Sequence, residues 1–240
     1  AEERYSEAIQ AYDDYLANHP DDIQVTSNKA GTLALMGMNT EAQAVYADLL
    51  ARPGLNSRET FAIGIGYYNM ESYSEAAAAF KRSLDGNGMS RDAAYNYAQS
   101  LFLAEEFEDL PNAAMHLIEL DPNNPNAYLL AGQGLLNAGQ EDEANEIAKK
   151  SEELAFVVEQ PALQPLAGGG GNLTGSILNN SLDANAVVQL RFHFTLADGT
   201  EAGTKDVTVQ VGAAESSTPF DTQMDATETV VGFWYEVLRP

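Results

Sequence analysis

The chain repeats itself every 34 residues. Ala8 returns as Ala42 and Ala76, Tyr12 as Tyr46 and Phe80, and Leu16 as Leu50, Leu84 and Ile118. Pro20, Gly54, Gly88 and Pro122 hold the same register at the end of each unit. A second set of columns runs between these: Ala30, Gly64, Ala98 and Gly132, then Leu33, Tyr67, Leu101 and Leu135 three residues on. Tyr5 skips the second copy, Asn39, and reappears as Tyr73 and Phe107. Apolar residues three to four apart within each unit predict helices. A period of this size predicts a stack of helix pairs, each burying its apolar face against the next.

Glycine inside a helix costs about 1 kcal/mol relative to alanine. The small column at Ala30, Gly64, Ala98 and Gly132 therefore predicts close helix–helix contacts that admit no side chain. The aromatic column is expected to fill the space between neighbouring units. At these residues the chain resembles the tetratricopeptide repeat (TPR) family, most clearly in "ESYSEAAAAFKRSL" and "DPNNPNAYLLAGQGLL". The resemblance covers residues 1–156. Departures are Leu110 and Ala114 in the fourth unit, where Pro111 is expected in the first turn of its helix. The fifth unit, "EDEANEIAKKSEELA", keeps Ala144 but has Ala148 for the aromatic, which fits a terminal cap. The opening stretch "RYSEAIQAYDDYLANHP" reads as a second helix without its first, so about four and a half repeats are expected. Either the chain is trimmed there, or a partner or another copy covers Tyr5, Tyr12 and Leu16 as an assembly end.

The pattern changes after Phe156. "VVEQPALQPLAGGGG" holds two prolines and four consecutive glycines, and residues 157–171 read as a linker. From residue 172 the period drops to 2. In "VVQLRFHFTL" the residues Val188, Leu190, Phe192, Phe194 and Leu196 share one face. Asp198-Gly199 marks a hairpin, "DVTVQV" alternates again, and "VVGFWYEVL" supplies a closing strand. "LTGSILNNS" is expected as the first strand. Residues 172–240 are thus expected to form a small antiparallel Ig-like β-sandwich, giving a multidomain α + β chain. The set "LTGSILNNS … FTLADG … FDTQM … VGFWYEV" resembles the FxLYD-type bacterial and archaeal β-sandwich domain, with Ala197 where that family often has an aromatic. Such domains are common in exported or surface-attached proteins, so the resemblance implies a secreted, periplasmic or cell-surface location.

Charge excludes some partners. Twelve basic residues stand against 36 acidic ones, a net −24. Residues 1–156 carry 9 basic and 26 acidic side chains, hence −17, and the remaining 84 carry 3 and 10, hence −7. Such a surface repels nucleic acid and anionic membrane. With no cysteine there is no disulfide or thiol chemistry. No apolar run approaches the roughly 20 residues of a membrane span, and no signal peptide is visible.

No catalytic set is evident, and neither a cofactor nor a metal is expected. His19, His116 and His193 lack a second histidine or a cysteine at ligand spacing. A cleft gathering His193 with two carboxylates would be needed for a catalytic reading. "GIGYYN" and "GQGLLN" lack the third glycine of a dinucleotide loop and sit mid-helix. "DGNGMS" has Met89 where a calcium loop needs an oxygen, and no glutamate at its twelfth position.

A surface remains. Repeat stacks present a concave groove from their first helices. Register places Phe61, Ile65 and Tyr68, then Tyr95, Gln99 and Phe102, then Leu129 and Gln133 there, with Asn69, Asn96 and Asn137 beside them and Arg58 as the main cation. Amides pair with a peptide backbone and aromatics supply buried area; each residue also has a helix-packing role open to it. The chain is expected to be a non-enzymatic protein–protein interaction scaffold. Its partner is a peptide segment or other copies of itself, the latter giving a homo-oligomer or filament joined through repeat ends or sheet edges. The alternatives are a monomeric adaptor with a peptide in the groove, or a calcium- or carbohydrate-binding module with Trp234 as a stacking platform.

Overall fold

The computed structural model describes residues 2–239. Helices come first: α1 (Glu2–Leu16), α2 (Ile23–Leu35), α3 (Asn39–Ala51), α4 (Ser57–Asn69), α5 (Tyr73–Gly86), α6 (Arg91–Leu103), α7 (Leu110–Leu120), α8 (Pro125–Asn137) and α9 (Glu141–Glu152). From α2 onward they pack in pairs, and the first helices of successive pairs also touch, α2 on α4 and α6 on α8. The repeat register is also a register of helix caps. Asp22 accepts from the Val25 amide, Asn56 from Glu59, Ser90 from Ala93 and Asn124 from Asn126. These four caps stand one period apart, and each is worth about 1 kcal/mol. The second helices α3, α5, α7 and α9 have no such side-chain cap. Pro111 sits in the first turn of α7, where its missing N–H costs nothing.

Small residues admit aromatic rings. A methyl group on Gly66 would stand 2.2 Å from the Tyr46 ring, and one on Gly64 would stand 2.6 Å from Phe80. Tyr46 therefore reaches the next unit, whereas Phe80 folds back on its own first helix and meets Phe61 at 5.4 Å. Gly132 does not follow the expected pattern. It faces open space, and the close approach in its unit is at Gly134, where a methyl group would lie 2.9 Å from Pro111. Gly66→Ala is expected to destabilise the protein by about 1–3 kcal/mol through overpacking. Gly132→Ala is expected to stabilise it by about 0.5–1 kcal/mol, because alanine is the better helix former. Urea unfolding of both variants checks this; equal midpoints would contradict the ring contact.

The strands are β1 (Phe156–Pro165), β2 (Gly171–Asn179), β3 (Val187–Thr195), β4 (Glu201–Gln210), β5 (Ser217–Met224) and β6 (Gly232–Arg239). They form two antiparallel sheets, β1-β2-β5 and β4-β3-β6. Both contribute to one apolar core, with Phe156, Leu173 and Ile177 from the first and Leu190, Phe192, Phe194 and Phe233 from the second.

The stretch 157–171 is not a linker. Most of it is β1, which pairs with β2 from Phe156 opposite Asn179 to Pro165 opposite Gly171. A bulge between Glu159 and Ala162 accommodates Pro161, with Gln160 at φ 46°. The glycine run makes the β1–β2 turn and is packed. Gly168, Gly169 and Gly170 all have positive φ, and the Gly170 amide donates to the Glu228 carbonyl at 2.8 Å. Val231, read as part of the closing strand, precedes β6; Val230 is the buried neighbour.

The sheets rest on the turns between helical units. Asn87 and Asp121 occupy the same repeat position, and both bond across. Asn87 Nδ2 donates to Thr195 Oγ1 at 2.8 Å and to the Leu196 carbonyl at 3.1 Å. Tyr235 donates its hydroxyl to Asp121 Oδ1 at 2.7 Å and accepts from the Asn123 amide at 3.1 Å. Ser57 Oγ donates to the Ala197 carbonyl at 2.7 Å. Asp121 is fully buried and takes Arg91 Nε at 2.6 Å. Burial works against the Arg91 charge, but Asp121 and Asp92 outweigh it and hold its pKa above the ordinary range. Burial, then the adjacent Asp121, pushes the Tyr235 phenol well above 10. Trp234 lies between the sheet and a helical cluster of Ala94, Leu117, Leu120 and Ala127.

Candidate protein-binding groove

An open groove of about 1090 Å³ runs along α2 and α4. Its apolar surface comes from Leu35, Phe61 and Ile65, and its polar surface from Gln24, Asn28 and Asn69. Leu35 is 69% exposed, which is high for a leucine. Asp92 of α6 lies at one side. Leu163 and Pro165 of β1, with Val231, form a further wall that comes from the sheets rather than the helices.

Of the ten residues assigned to the groove by register, Phe61, Ile65 and Asn69 line it. The other seven lie outside it. Tyr68 packs edge-on to Tyr73 at 5.4 Å, and Phe102 edge-on to Phe107 at 6.4 Å. Tyr95 lies under the Arg91 guanidinium at 5.0 Å. Asn96 Nδ2 donates to the Asp92 carbonyl, and Asn137 Nδ2 to the Gln133 carbonyl. Gln99 is part-buried on α6. Tyr12, assigned to the assembly end, also lines the groove. Tyr5 and Leu16 are half-buried on α1. Leu35, Ala34, Gly31 and Ser27 also line it; each stands one period before Asn69, Tyr68, Ile65 or Phe61, so register could have found them. No local pattern marks Leu163, Pro165 and Val231.

Arg58 lines the groove and is exposed. Four other arginines are engaged. Arg52 pairs with Asp48, Arg91 with Asp121 and Arg191 with Asp206, while Arg82 donates to the Leu50 and Arg52 carbonyls. Arg58 has no hydrogen bond or ion pair among the described residues.

His193 does meet two carboxylates. Nδ1 lies 2.8 Å from Glu201 Oε2, and Nε2 lies 3.3 Å from Glu236 Oε1. The ring stacks on Trp234 at 3.9 Å. This cluster belongs to the outer face of the β4-β3-β6 sheet, away from the groove lining. Among the described residues no group of histidine and carboxylate side chains is arranged to hold a metal ion. No described helix is long and apolar enough to cross a membrane.

Sheet edges were a candidate joint between copies. β1 and β5 are each paired on one side only and carry prolines, Pro161 and Pro165 in β1 and Pro219 in β5, each lacking a backbone donor. The β6 edge strand contacts α6 and α7. The β4 edge carries Lys205 and Asp206.

No protein-family model matches the chain, and no curated protein matches it. Solved structures do. A crystal structure of MamA aligns at 21% identity over 62% of this chain and 87% of its own, with a TM-score of 0.50. A second MamA structure aligns at 20% identity, 63% and 83% coverage and a TM-score of 0.51. "YrrB: a TPR protein with an unusual peptide-binding site" aligns at 16% identity, 63% and 78% coverage and a TM-score of 0.51. At these identities the likeness is one of fold: the helical segment of this chain is TPR-like.

Proposed function

We propose that this chain is a non-enzymatic interaction scaffold that holds an extended peptide segment in the α2–α4 groove. The observation that carries this reading is the groove itself, open and lined by the exposed Leu35 and the half-buried Phe61 and Ile65 beside amides. Leu35, Phe61 and Ile65 offer area to bury, and Gln24, Asn28 and Asn69 offer partners for a peptide backbone. The peptide-binding site named for YrrB supports the reading by analogy of fold. Selection from a displayed library of random peptides tests it. Peptides enriched on the wild type should lose at least about tenfold in affinity on Ile65→Glu, which puts an unpaired charge in the groove. No enrichment on a folded wild type would overturn the reading.

The motif resemblance of "LTGSILNNS" and "FTLADG" extends the proposal to an FxLYD-type Ig-like sandwich in an extracytoplasmic setting. Trp234, packed against the helices, is not free to serve as a sugar platform. Self-assembly is the second reading, favoured by α1, whose Tyr15 is 42% exposed. The prolines of β1 and β5 turn that reading from sheet edges toward helices. Light scattering over a range of concentrations tests it, and a monomer at every concentration would refute it.

A further inference from the structure

The joint between helices and sheets holds the chain's single Asn-Gly dipeptide, Asn87-Gly88. This dipeptide is self-reactive. The glycine amide nitrogen, with no Cβ beside it, can close on the carbonyl carbon of the asparagine side chain. In the docked structure Asn87 is only 1% exposed. Its side chain is held at both ends. Nδ2 donates to Thr195 Oγ1 and to the Leu196 carbonyl, and Oδ1 accepts from the Met89 amide at 3.2 Å. Ring closure needs that side chain to turn onto Gly88, so the docked sheets withhold the reaction. Folding does not account for the glycine. Gly54, one period earlier, has φ +78° and needs to be glycine, but Gly88 lies outside the left-handed region. A methyl group on Gly88 would meet only the Leu84 carbonyl oxygen, at an ordinary 3.6 Å.

We propose that Asn87-Gly88 is a self-modification site that releases the joint for good once the sheets have lifted. The Gly88 nitrogen bonds to Asn87 Cγ, and Nδ2 leaves as ammonia, taking up the Gly88 amide proton. Water then opens the succinimide, at Cγ to give aspartate or at the main-chain carbonyl carbon to give isoaspartate. Water is the only co-reactant. Both products put a carboxylate where the donor stood, facing the Leu196 carbonyl oxygen. Asp121, the acid at the same position one repeat on, has Arg91 at 2.6 Å to hold it. The partners of Asn87 Nδ2 are oxygens, so redocking would bury the new charge without a countercharge. Isoaspartate also lengthens the main chain by a carbon. The wall that Leu163 and Pro165 lend to the groove is lost with the joint.

The test incubates the whole chain at mildly alkaline pH and follows the peptide containing Asn87 by mass spectrometry, which separates aspartate from isoaspartate. The wild type should react far more slowly than a synthetic peptide of the same sequence. Tyr235→Phe and Ser57→Ala each loosen a neighbouring part of the joint and leave Asn87 and Gly88 in place. Tyr235→Phe should speed the reaction about tenfold, because the rate follows the population of the open joint. Gly88→Ala should stop it in every background without lowering the unfolding temperature. Asn87→Asp, the product, should unfold at a lower temperature than Asn87→Ala, since it adds a charge to the lost bonds. Circular dichroism confirms that each variant is folded. A wild type as fast as the peptide, or rates unchanged by both loosening variants, would overturn the proposal. So would an Asn87→Asp variant as stable as the wild type.

Discussion

Asp121→Ala is expected to lower the unfolding free energy by about 3–5 kcal/mol, the usual result of removing one partner from a buried ion pair. The size follows from what is left behind. Arg91 loses the carboxylate at 2.6 Å and keeps only Asp92, while Tyr235 keeps a buried hydroxyl with its acceptor gone. Asn124 loses its bond to the same carboxylate at 2.9 Å. Denaturant unfolding followed by both far-UV circular dichroism and Trp234 fluorescence reads the loss and its site. A change below about 1 kcal/mol would mean that the network does not hold the sheets to the helices. Alkaline pH probes the same site. The Tyr235 pKa is raised in the folded state, so folding favours the neutral phenol. Stability is complete below the ordinary tyrosine pKa of about 10 and falls as pH rises past it.

The second large effect lies in the glycine run. Gly169→Ala is expected to cost about 3 kcal/mol. Its φ of +114° suits glycine, and a methyl group would stand 2.3 Å from the Ala226 carbonyl oxygen, a backbone atom with nowhere to move. Gly168→Ala is the control. Its φ is +95°, but nothing lies within 4 Å of the added methyl, so only the backbone strain of about 1 kcal/mol remains. Equal losses at the two positions would show that the turn does not pack on the β5–β6 connection.

These two sites mark where sequence reading succeeds and stops. The helices were legible because the repeat states the same local instruction several times, in columns such as Ala8, Ala42 and Ala76. The strand at Val187–Thr195 was legible because a period of two is written out in full along it. The strand at Phe156–Pro165 was not. Pro161 sits in its bulge and Pro165 at its last residue, in a strand paired on one side only, where a missing donor is tolerated, and locally that reads as a breaker. The four glycines read as slack for the same reason: composition shows freedom of φ but not the carbonyls that crowd it. Of the residues that register assigns to the concave face, Phe61, Ile65 and Asn69 line the α2–α4 groove. On α2 the lining residues Ser27, Gly31, Ala34 and Leu35 stand in the same register one period earlier. Register alone does not encode the ring contacts of Tyr95 with Arg91 and of Phe102 with Phe107. The wall from β1 depends on contacts more than a hundred residues apart, such as Asn87 with Thr195, which no local pattern encodes.

A bare stack of helical repeats behaves as a spring: each unit touches only its neighbours, and small rotations at successive joints add up to a large bend. The sheets of this chain clasp Ser57, Asn87 and the Asp121–Asn123 turn at once, spanning three joints in a row. A brace of that kind stiffens the spring from α4 to α8 and leaves the part formed by α1–α3 compliant. The groove between α2 and α4 straddles the border, with one side clamped and the other free to swing, like a jaw with a fixed and a moving arm.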